Sequence, residues 1–341
     1  MGNAPVSKAE WRAFARDRRS AVDLEAASRR IVDHIERWQG LAGTVCTYLA
    51  MDDEIDLSRL VAVRPDCRWV VTRTPERGEL TIHDLGSPME VHRLGFHQPD
   101  ATSELISPSE VDVFLVPGLA FDVCGVRLGR GAGHFDRLLA TVEPGASVVG
   151  ISPAAATFAR LPTADHDIPM SHLGTEHGVT ETARDLPDAA RRFLAAAIGE
   201  GLAVTPQVFP VGTKTSADAA EAVGAELGAI AKSLVFMADD RPVVVLISGD
   251  RRVDTGMLAT AMRASGTRRA SLEEARSHTG YAAGGTPAVG LAEPVPVLAD
   301  ISLQRYSVVW SAAGTPTAVY PVELDRLVSA SDARWVDVAE T

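Results

Sequence analysis

The feature that most constrains the fold is a series of short apolar runs in the first half of the chain. The runs are rich in valine and aromatic residues, as strands are, and helical or loop segments separate them. They cover residues 45–49, 68–72, 113–116 and 147–151. Strands that alternate with helices favour a parallel sheet covered on both faces. The first half is therefore predicted to be a three-layer, Rossmann-like α/β domain with a mainly parallel sheet.

The alternation of apolar runs with helical segments changes near residue 200. A helix predicted from Pro187 to Ile198 is followed by Gly199 and Gly201, which can end it. Beyond lie a predicted helix over 216–227 and strand-like runs at 233–238, 243–248, 295–298, 307–312 and 317–320. A chain of 341 residues is long for one core. We therefore predict two domains, 1–200 and 201–341, the second an α+β domain with a mixed or antiparallel sheet.

Composition narrows the classes of partner. The net charge is −12 and neither half is basic, which argues against binding DNA by bulk electrostatics. Any RNA contact needs a local basic patch. No apolar run approaches the roughly 20 residues of a membrane span, so no membrane partner is expected. The three cysteines form no CxxC pair, which fits a reducing cytoplasm.

Lysine is scarce: of 33 basic residues, only Lys8, Lys214 and Lys232 are lysines. Lysine differs from arginine in its compact charge and in a pKa that burial can move, so these positions are candidates for chemistry. Lys214 lies in a polar run and is predicted to be loop surface. Lys8 and Arg12 are four apart on a predicted helix, where they can clamp a polyphosphate. A solvated basic face is the alternative.

A glycine-rich loop lies within residues 127–137. Glycines at alternate positions let backbone N–H groups approach an anion closely, and a helix beginning near His134 would add its positive end. Arg127 and Arg130 supply forked donors for phosphate. A tight turn at a sheet edge is the alternative interpretation.

Together with this loop, the first half resembles the 5-formyltetrahydrofolate cyclo-ligase (methenyltetrahydrofolate synthetase) family over about residues 6–180. The ordered pieces are Lys8 with Arg12, the acidic loop 51–56, segment 117–122 with the glycine loop, and 162–167 followed by 175–176. The resemblance implies that ATP phosphorylates the formyl oxygen of 5-formyltetrahydrofolate. N10 of the folate then attacks, phosphate leaves and the 5,10-methenyl ring closes.

The resemblance also implies residue roles. ATP would be bound by Lys8, Arg12, Arg127, Leu128, Gly129, Arg130, Gly131, Ala132, Gly133, His134 and Phe135, with Arg130 catalytic. The folate would contact Met51, Glu54 and Asp56, and the Mg²⁺ ligands would be Asp136 and Asp167. The alternatives are an acidic surface loop at 51–56, a helix cap for Asp136 and an Asx turn for Asp167.

Three positions depart from the family pattern. His134-Phe135 stands where many relatives have two tyrosines, Ala132 where they have glycine, and Gln98 where they have glutamate. These departures leave open a nucleotide-binding module that does not turn over folate.

The second half has its own candidate site. Lys232 enters an apolar strand, where an unpaired ammonium is costly to bury, although an edge-strand lysine can also snorkel to solvent. With the glycine-rich segment 279–287 and the later 311–314, this strand resembles the YbaK-type prolyl-tRNA editing family over about residues 205–340.

That resemblance implies hydrolysis of the ester of a mischarged aminoacyl-tRNA. Lys232 would be the essential residue, as a base or as an electrostatic anchor. The pocket would comprise Lys232, Gly284, Gly285, Asp300 and Gly314. The pairs Arg251-Arg252 and Arg268-Arg269 could grip the tRNA 3′ end or be solvated surface. A catalytically silent RNA- or protein-binding appendage is the alternative function.

Overall fold

The computed structural model describes residues 5–75, 78–93, 95–164, 167–209 and 215–340. The chain divides into two compact units, Met1–Arg184 and Asp185–Thr341. Among the helices in these ranges, none is long and apolar enough to cross a membrane. The prediction for Lys214 lies outside the described residues.

The first unit alternates helices and strands. Its helices are α1 (Lys8–Ser20), α2 (Leu24–Arg37), α3 (Ser58–Val63) and α4 (His134–Leu139). Its strands are β1 (Thr44–Thr47), β2 (Arg68–Arg73), β3 (Thr81–Asp84), β4 (Met89–Val91), β5 (His97–Pro99), β6 (Val113–Pro117), β7 (Ala120–Asp122), β8 (Arg127–Leu128), β9 (Ser147–Ile151), β10 (Thr157–Phe158), β11 (His172–Thr175) and β12 (Gly178–Glu181). Ser7 and Glu10 form a capping box at the start of α1.

The main sheet of this unit is mixed, with a parallel centre. Its order is β12-β11-β9-β6-β1-β2-β3, and the neighbours from β11 to β2 are parallel. The edge strands β3 and β12 run antiparallel to their neighbours. The four strands predicted from apolar runs are β1, β2, β6 and β9, and they lie together at its centre. The predicted parallel character is confirmed for these strands.

Alternation along the central strands fills a core on each face of the sheet. Val45 and Leu115 pack with α2, whereas Cys46 and Phe114 pack with the residues of α4. Because successive side chains of a strand point to opposite faces, one apolar run supplies both cores. The chain leaving β1 and the chain leaving β6 emerge at the same edge of the sheet, since these neighbours are parallel. That edge carries the candidate site.

The second unit begins with a helix. Its helices are α5 (Asp188–Gly199), α6 (Ser216–Val223), α7 (Thr255–Met262), α8 (Leu272–Thr279) and α9 (Leu324–Ala330). Its strands are β13 (Gln207–Val208), β14 (Ile230–Ala238), β15 (Arg241–Ser248), β16 (Thr267–Arg269), β17 (Val297–Asp300), β18 (Val308–Ala312), β19 (Ala318–Glu323) and β20 (Arg334–Val336).

The sheet of the second unit is mixed, as predicted, with order β13-β19-β18-β14-β15-β17-β20. One long edge of β14 pairs with β15 throughout. Its other edge is shared: residues 230–231 pair with β18, and residues 236–238 pair with β16. Between these two pairings β14 diverges from β18. The divergence opens a pocket beside Lys232.

The boundary predicted at residue 200 differs from the division of the structure. Helix α5 falls within the second unit, where Phe193 is fully buried and its ring lies 4.8 Å from that of Tyr320. A Cβ on Gly314 would come within 2.5 Å of the Ala189 carbonyl oxygen, so this helix lies close against the β18–β19 turn. Helix α5 ends at Gly199, close to the predicted end at Ile198, but packing decides which unit the helix joins.

Candidate active sites

Two cations of α1 lie against the rest of the predicted nucleotide site. Lys8 donates from Nζ to Oδ2 of Asp167 at 2.9 Å, and Arg12 donates from Nε to the Gly129 carbonyl at 2.9 Å. The two side chains are one turn apart, so both contacts come from one face of the helix. The structure therefore brings α1, the glycine loop and Asp167 together.

The glycine loop passes close beneath two arginines. A Cβ on Gly129 would lie 2.6 Å from a terminal nitrogen of Arg127, and one on Gly131 would lie 3.4 Å from the Arg12 guanidinium. Gly131 also has a φ of 109°, which side-chain-bearing residues rarely adopt. The backbone of Gly131 therefore favours glycine, and a side chain at position 129 would displace the Arg127 guanidinium.

Arg127 connects the loop to α4. Its guanidinium pairs with Asp136 at 2.7 Å and lies 5.5 Å from the centre of the Phe135 ring. Its Nε is buried and, within the described part of the chain, has no hydrogen-bond acceptor. A buried donor of this kind fits an anionic ligand, since leaving it unpaired is costly.

The two predicted Mg²⁺ ligands are each ion-paired. Asp136 pairs with Arg127, and Asp167 pairs with Lys8 and accepts from the Ala164 N–H at 2.7 Å. In the described ranges no three His, Cys, Asp or Glu side chains cluster as a metal site. Mg²⁺ commonly uses only one or two carboxylates together with substrate phosphates, so the donor set fits an ion that arrives with ATP.

The acidic loop after β1 lines a cleft of about 1330 Å³. Met51, Glu54 and Asp56, the predicted folate contacts, all line it. Glu54 accepts from the Met51 N–H at 3.1 Å, whereas Asp56 accepts from the backbone and hydroxyl of Ser58 at 2.8 and 3.0 Å. Phe96 contributes an aromatic wall. The cleft therefore combines carboxylates with apolar surface.

Arg130 links the glycine loop to this cleft. Its guanidinium pairs with Asp53 and lies 3.4 Å from Glu54. The side chain that the family resemblance makes catalytic thus reaches from the glycine loop to the acidic loop. Leu128 is buried below the loop, and His134 pairs through Nδ1 with Arg137 at 3.1 Å. Ala132 accepts from Arg137 through its carbonyl at 3.1 Å.

In the second unit, Lys232 lies on β14 and is half-buried. Its Nζ donates to the Arg251 carbonyl. Burial lowers the pKa of Lys232, Asp250 opposes that shift, and Arg269 and Arg252 add to it. The charged and neutral forms of this lysine are therefore closer in free energy than for a lysine in water.

Lys232 lines a pocket of about 450 Å³ where β14 and β18 diverge. Gly284 and Trp310 also line it. A Cβ on Gly285 would lie 2.5 Å from the backbone of Thr315, so this glycine allows two loops to meet beside the pocket. The structure thus places Lys232 and the glycine pair in one region.

Two other predicted pocket residues have structural contacts instead. Asp300 is fully buried at the end of β17, and its carboxylate accepts from the N–H groups of Ser302 at 2.9 Å and Val338 at 2.8 Å. Gly314 lies against α5. Neither residue lines the Lys232 pocket, and the contacts of both hold the fold around the sheet.

Comparison with known proteins agrees with both halves of this description. Residues 7–176 match the model of the 5-formyltetrahydrofolate cyclo-ligase family, and residues 211–330 match that of the aminoacyl-tRNA editing domain. The chain therefore carries a region that matches the first family, followed by a region that matches the second.

Individual relatives match one half each. The 5-formyltetrahydrofolate cyclo-ligase of Haemophilus influenzae is 26% identical over 167 residues, covering 44% of this chain and 86% of that enzyme. The proline–tRNA ligase of Levilactobacillus brevis is 31% identical over 121 residues, covering 36% of this chain but only 21% of that enzyme. The solution structure of Aquifex aeolicus 5,10-methenyltetrahydrofolate synthetase is 29% identical, covering 53% of this chain and 96% of that one, with a TM-score of 0.45.

Two of the departures from the cyclo-ligase pattern, Phe135 and Gln98, make definite local contacts. Phe135 keeps an aromatic ring under Arg127 without a phenolic hydroxyl. Gln98 is buried, accepts from the Thr74 N–H at 3.1 Å and donates to Glu90 at 2.8 Å. An amide can do both, whereas an ionised carboxylate only accepts. Gln98 thus anchors the β4–β5 hairpin that carries Phe96.

Sequence reasoning missed Arg19 in the cyclo-ligase half. It lies on α1, is buried and donates to the carbonyls of Gly118, at 3.2 Å, and Asp53. Burial lowers the pKa of Arg19. The signal was its helical spacing from Arg12 and Ala15, which places it on the inward face.

Sequence reasoning also missed an ionic cluster in the editing half. Asp250 accepts from Arg305 at 2.7 Å and from the Ser248 hydroxyl at 2.7 Å, and the Arg305 bond lowers the pKa of Asp250 to about 2. Arg305 is far from Asp250 in sequence, so no local pattern could show the pair. The cluster holds a fixed negative charge near Lys232.

Proposed function

We propose that the first half converts 5-formyltetrahydrofolate and ATP to 5,10-methenyltetrahydrofolate, ADP and phosphate. The observation that carries this proposal is the continuity of the site. Arg12 contacts the glycine loop, and Arg130 extends from that loop to Asp53 and Glu54 of the folate cleft. A nucleotide bound at the loop would place its terminal phosphate next to a ligand in the cleft.

The chemistry requires positioning and charge stabilisation. The formyl oxygen attacks the γ-phosphorus, and the bond to ADP breaks. N10 then attacks the formyl carbon, loses its proton, and the carbon–oxygen bond breaks as phosphate leaves. The polyphosphate would be held by Lys8, Arg12 and Arg127. Arg130 would contact the phosphoryl group as it is transferred to the folate. Glu54 would accept from pterin N–H donors.

The Mg²⁺ dependence belongs to the same proposal. Asp136 and Asp167 would hold the ion against the phosphates, where it would neutralise developing charge. Both carboxylates are paired with the cations that would bind ATP. When ATP binds, its phosphates would take the place of the carboxylates beside Lys8 and Arg127. Mg²⁺ would take the place of these two cations beside Asp136 and Asp167.

We propose that the second half hydrolyses the ester of mischarged aminoacyl-tRNA. Support comes from the pocket of about 450 Å³, which is large enough for an aminoacyl group and has Lys232 in its wall. A small pocket that admits only some acyl groups can act as a second sieve.

One pair of variants tests both proposals. Purified chain is assayed for methenyl absorbance with ATP, Mg²⁺ and 5-formyltetrahydrofolate, and for deacylation of a panel of mischarged tRNAs. We expect Lys8→Ala to reduce only cyclisation and Lys232→Ala to reduce only deacylation, each at least about tenfold, since each removes a charged partner. Each variant is thus the folding control for the other.

The contrary results are equally clear. If the protein binds ATP but gives no methenyl absorbance at high enzyme concentration, its first half is a nucleotide-binding module without folate turnover. Equal deacylation by wild type and Lys232→Ala would remove the assignment of Lys232. A wild type that hydrolyses no tRNA ester would favour the silent appendage.

A further inference from the structure

A second cation stands at the mouth of the Lys232 pocket. Arg269 ends β16 and lines the pocket, and its guanidinium lies 5.4 Å from the centre of the Phe236 ring. Phe236 and Arg269 are also direct partners in the β14–β16 pairing. A guanidinium stacked on a ring keeps its N–H donors in the plane, where they can reach an acceptor. The contact with Phe236 therefore restricts the Arg269 side chain beside the pocket.

Within the described part of the chain, Arg269 forms no ion pair with a carboxylate. Its neighbour Arg268 differs, because it pairs with Glu274 at 2.6 Å. Asp250 is the acid whose charge acts on Lys232, and it is already ion-paired with Arg305. In a chain of net charge −12, this pocket carries local positive charge.

We propose that Arg269 binds the phosphodiester that precedes the terminal nucleoside of an RNA 3′ end, while the acyl ester of that nucleoside reaches Lys232. This inference rests on the proposed editing function and adds the residue that grips the RNA chain. The planar guanidinium of arginine can donate two parallel hydrogen bonds to two oxygens of one phosphate.

The position of Arg269 favours a chain phosphate over an acidic acyl group. Arg269 is exposed, whereas Lys232 is half-buried and Ser311, which lines the same pocket, is buried. An acyl group has to enter the pocket. The RNA chain has to leave through its mouth, and Arg269 stands there.

The experiment compares substrates with and without that phosphodiester. Aminoacyl esters of adenosine and of cytidylyl-(3′,5′)-adenosine are offered to the full-length chain, using the amino acid that wild type removes fastest from tRNA. We expect Arg269→Gln, which keeps the stem against Phe236, to raise KM about tenfold for the dinucleotide ester only. Arg268→Gln removes the same charge one residue away and should leave both KM values within about twofold, because an exposed pair contributes little.

Other outcomes overturn the proposal. An equal loss on both esters would place Arg269 on the acyl group or the adenosine, and no loss on either would remove it from the site. If wild type hydrolyses no ester, the editing function fails, and binding of unacylated cytidylyl-adenosine still decides the inference. Weaker binding by Arg269→Gln, with adenosine binding unchanged, would support the phosphate contact, and unchanged dinucleotide binding would refute it.

Discussion

At the scale of single residues, the buried Arg19 is expected to contribute both to stability and to folate binding. Its guanidinium joins the Gly118 and Asp53 carbonyls across two loops of the cyclo-ligase half. Arg19→Ala should lower the free energy of unfolding by about 2 kcal/mol and raise KM for the folate, because the acidic loop loses its anchor. Denaturant unfolding and steady-state kinetics measure the two effects. Arg18→Ala, on the exposed side of α1, is the control, and an equal effect from it would contradict this role.

The pH dependence of deacylation distinguishes two roles for Lys232. Burial lowers its pKa, yet Asp250 favours the ammonium. We expect the ammonium to act as an anchor, so the rate above the uncatalysed background should fall as pH rises through the lowered pKa. Lys232→Arg, which stays charged, should retain activity and lose this fall. A wild-type rate that rises with pH, together with an inactive Lys232→Arg, would instead show a base.

At the scale of elements, the glycine loop offers a matched pair of substitutions. Gly131 and Gly145 have φ values of 109° and 119°, and both are exposed. A Cβ on Gly131 meets the Arg12 guanidinium, whereas one on Gly145 meets nothing within 4 Å. Alanine at either position should cost about 1–3 kcal/mol of stability through backbone strain. Only Gly131→Ala should raise KM for ATP severalfold. A similar rise from Gly145→Ala would show that strain alone, transmitted through the fold, explains the effect.

Elements with a strong local signal were the ones that sequence could predict. Strands β1, β2, β6 and β9 are apolar runs, and each packs both of its faces. Strand β16 is Thr-Arg-Arg and has no such signal, because it forms by pairing its backbone with an edge of β14. The same limit applies to the sites. The glycine loop is local in sequence, whereas the contacts of Arg19, Arg269 and Asp250 join distant segments.

At the scale of the whole molecule, the predicted cations and carboxylates of the cyclo-ligase half are already paired with each other. Lys8 pairs with Asp167, Arg127 with Asp136, and Arg130 with Asp53 and Glu54. A chain with net charge −12 could therefore present several cations to the proposed nucleotide while each cation still has a partner before binding. The cluster is held together by the groups that its ligands would later displace.

The boundary between the two units determines which fragments of the chain should fold alone. Helix α5 buries Phe193, Leu194 and Ile198 within the second unit. A fragment of residues 185–341 should unfold cooperatively, whereas a fragment of 201–341 should not, because loss of the Phe193 side chain alone costs about 3–5 kcal/mol. Phe193→Ala in the full chain tests the same packing without truncation and should destabilise the second unit. If the 201–341 fragment is as stable as 185–341 in denaturant unfolding, then α5 is not part of that core.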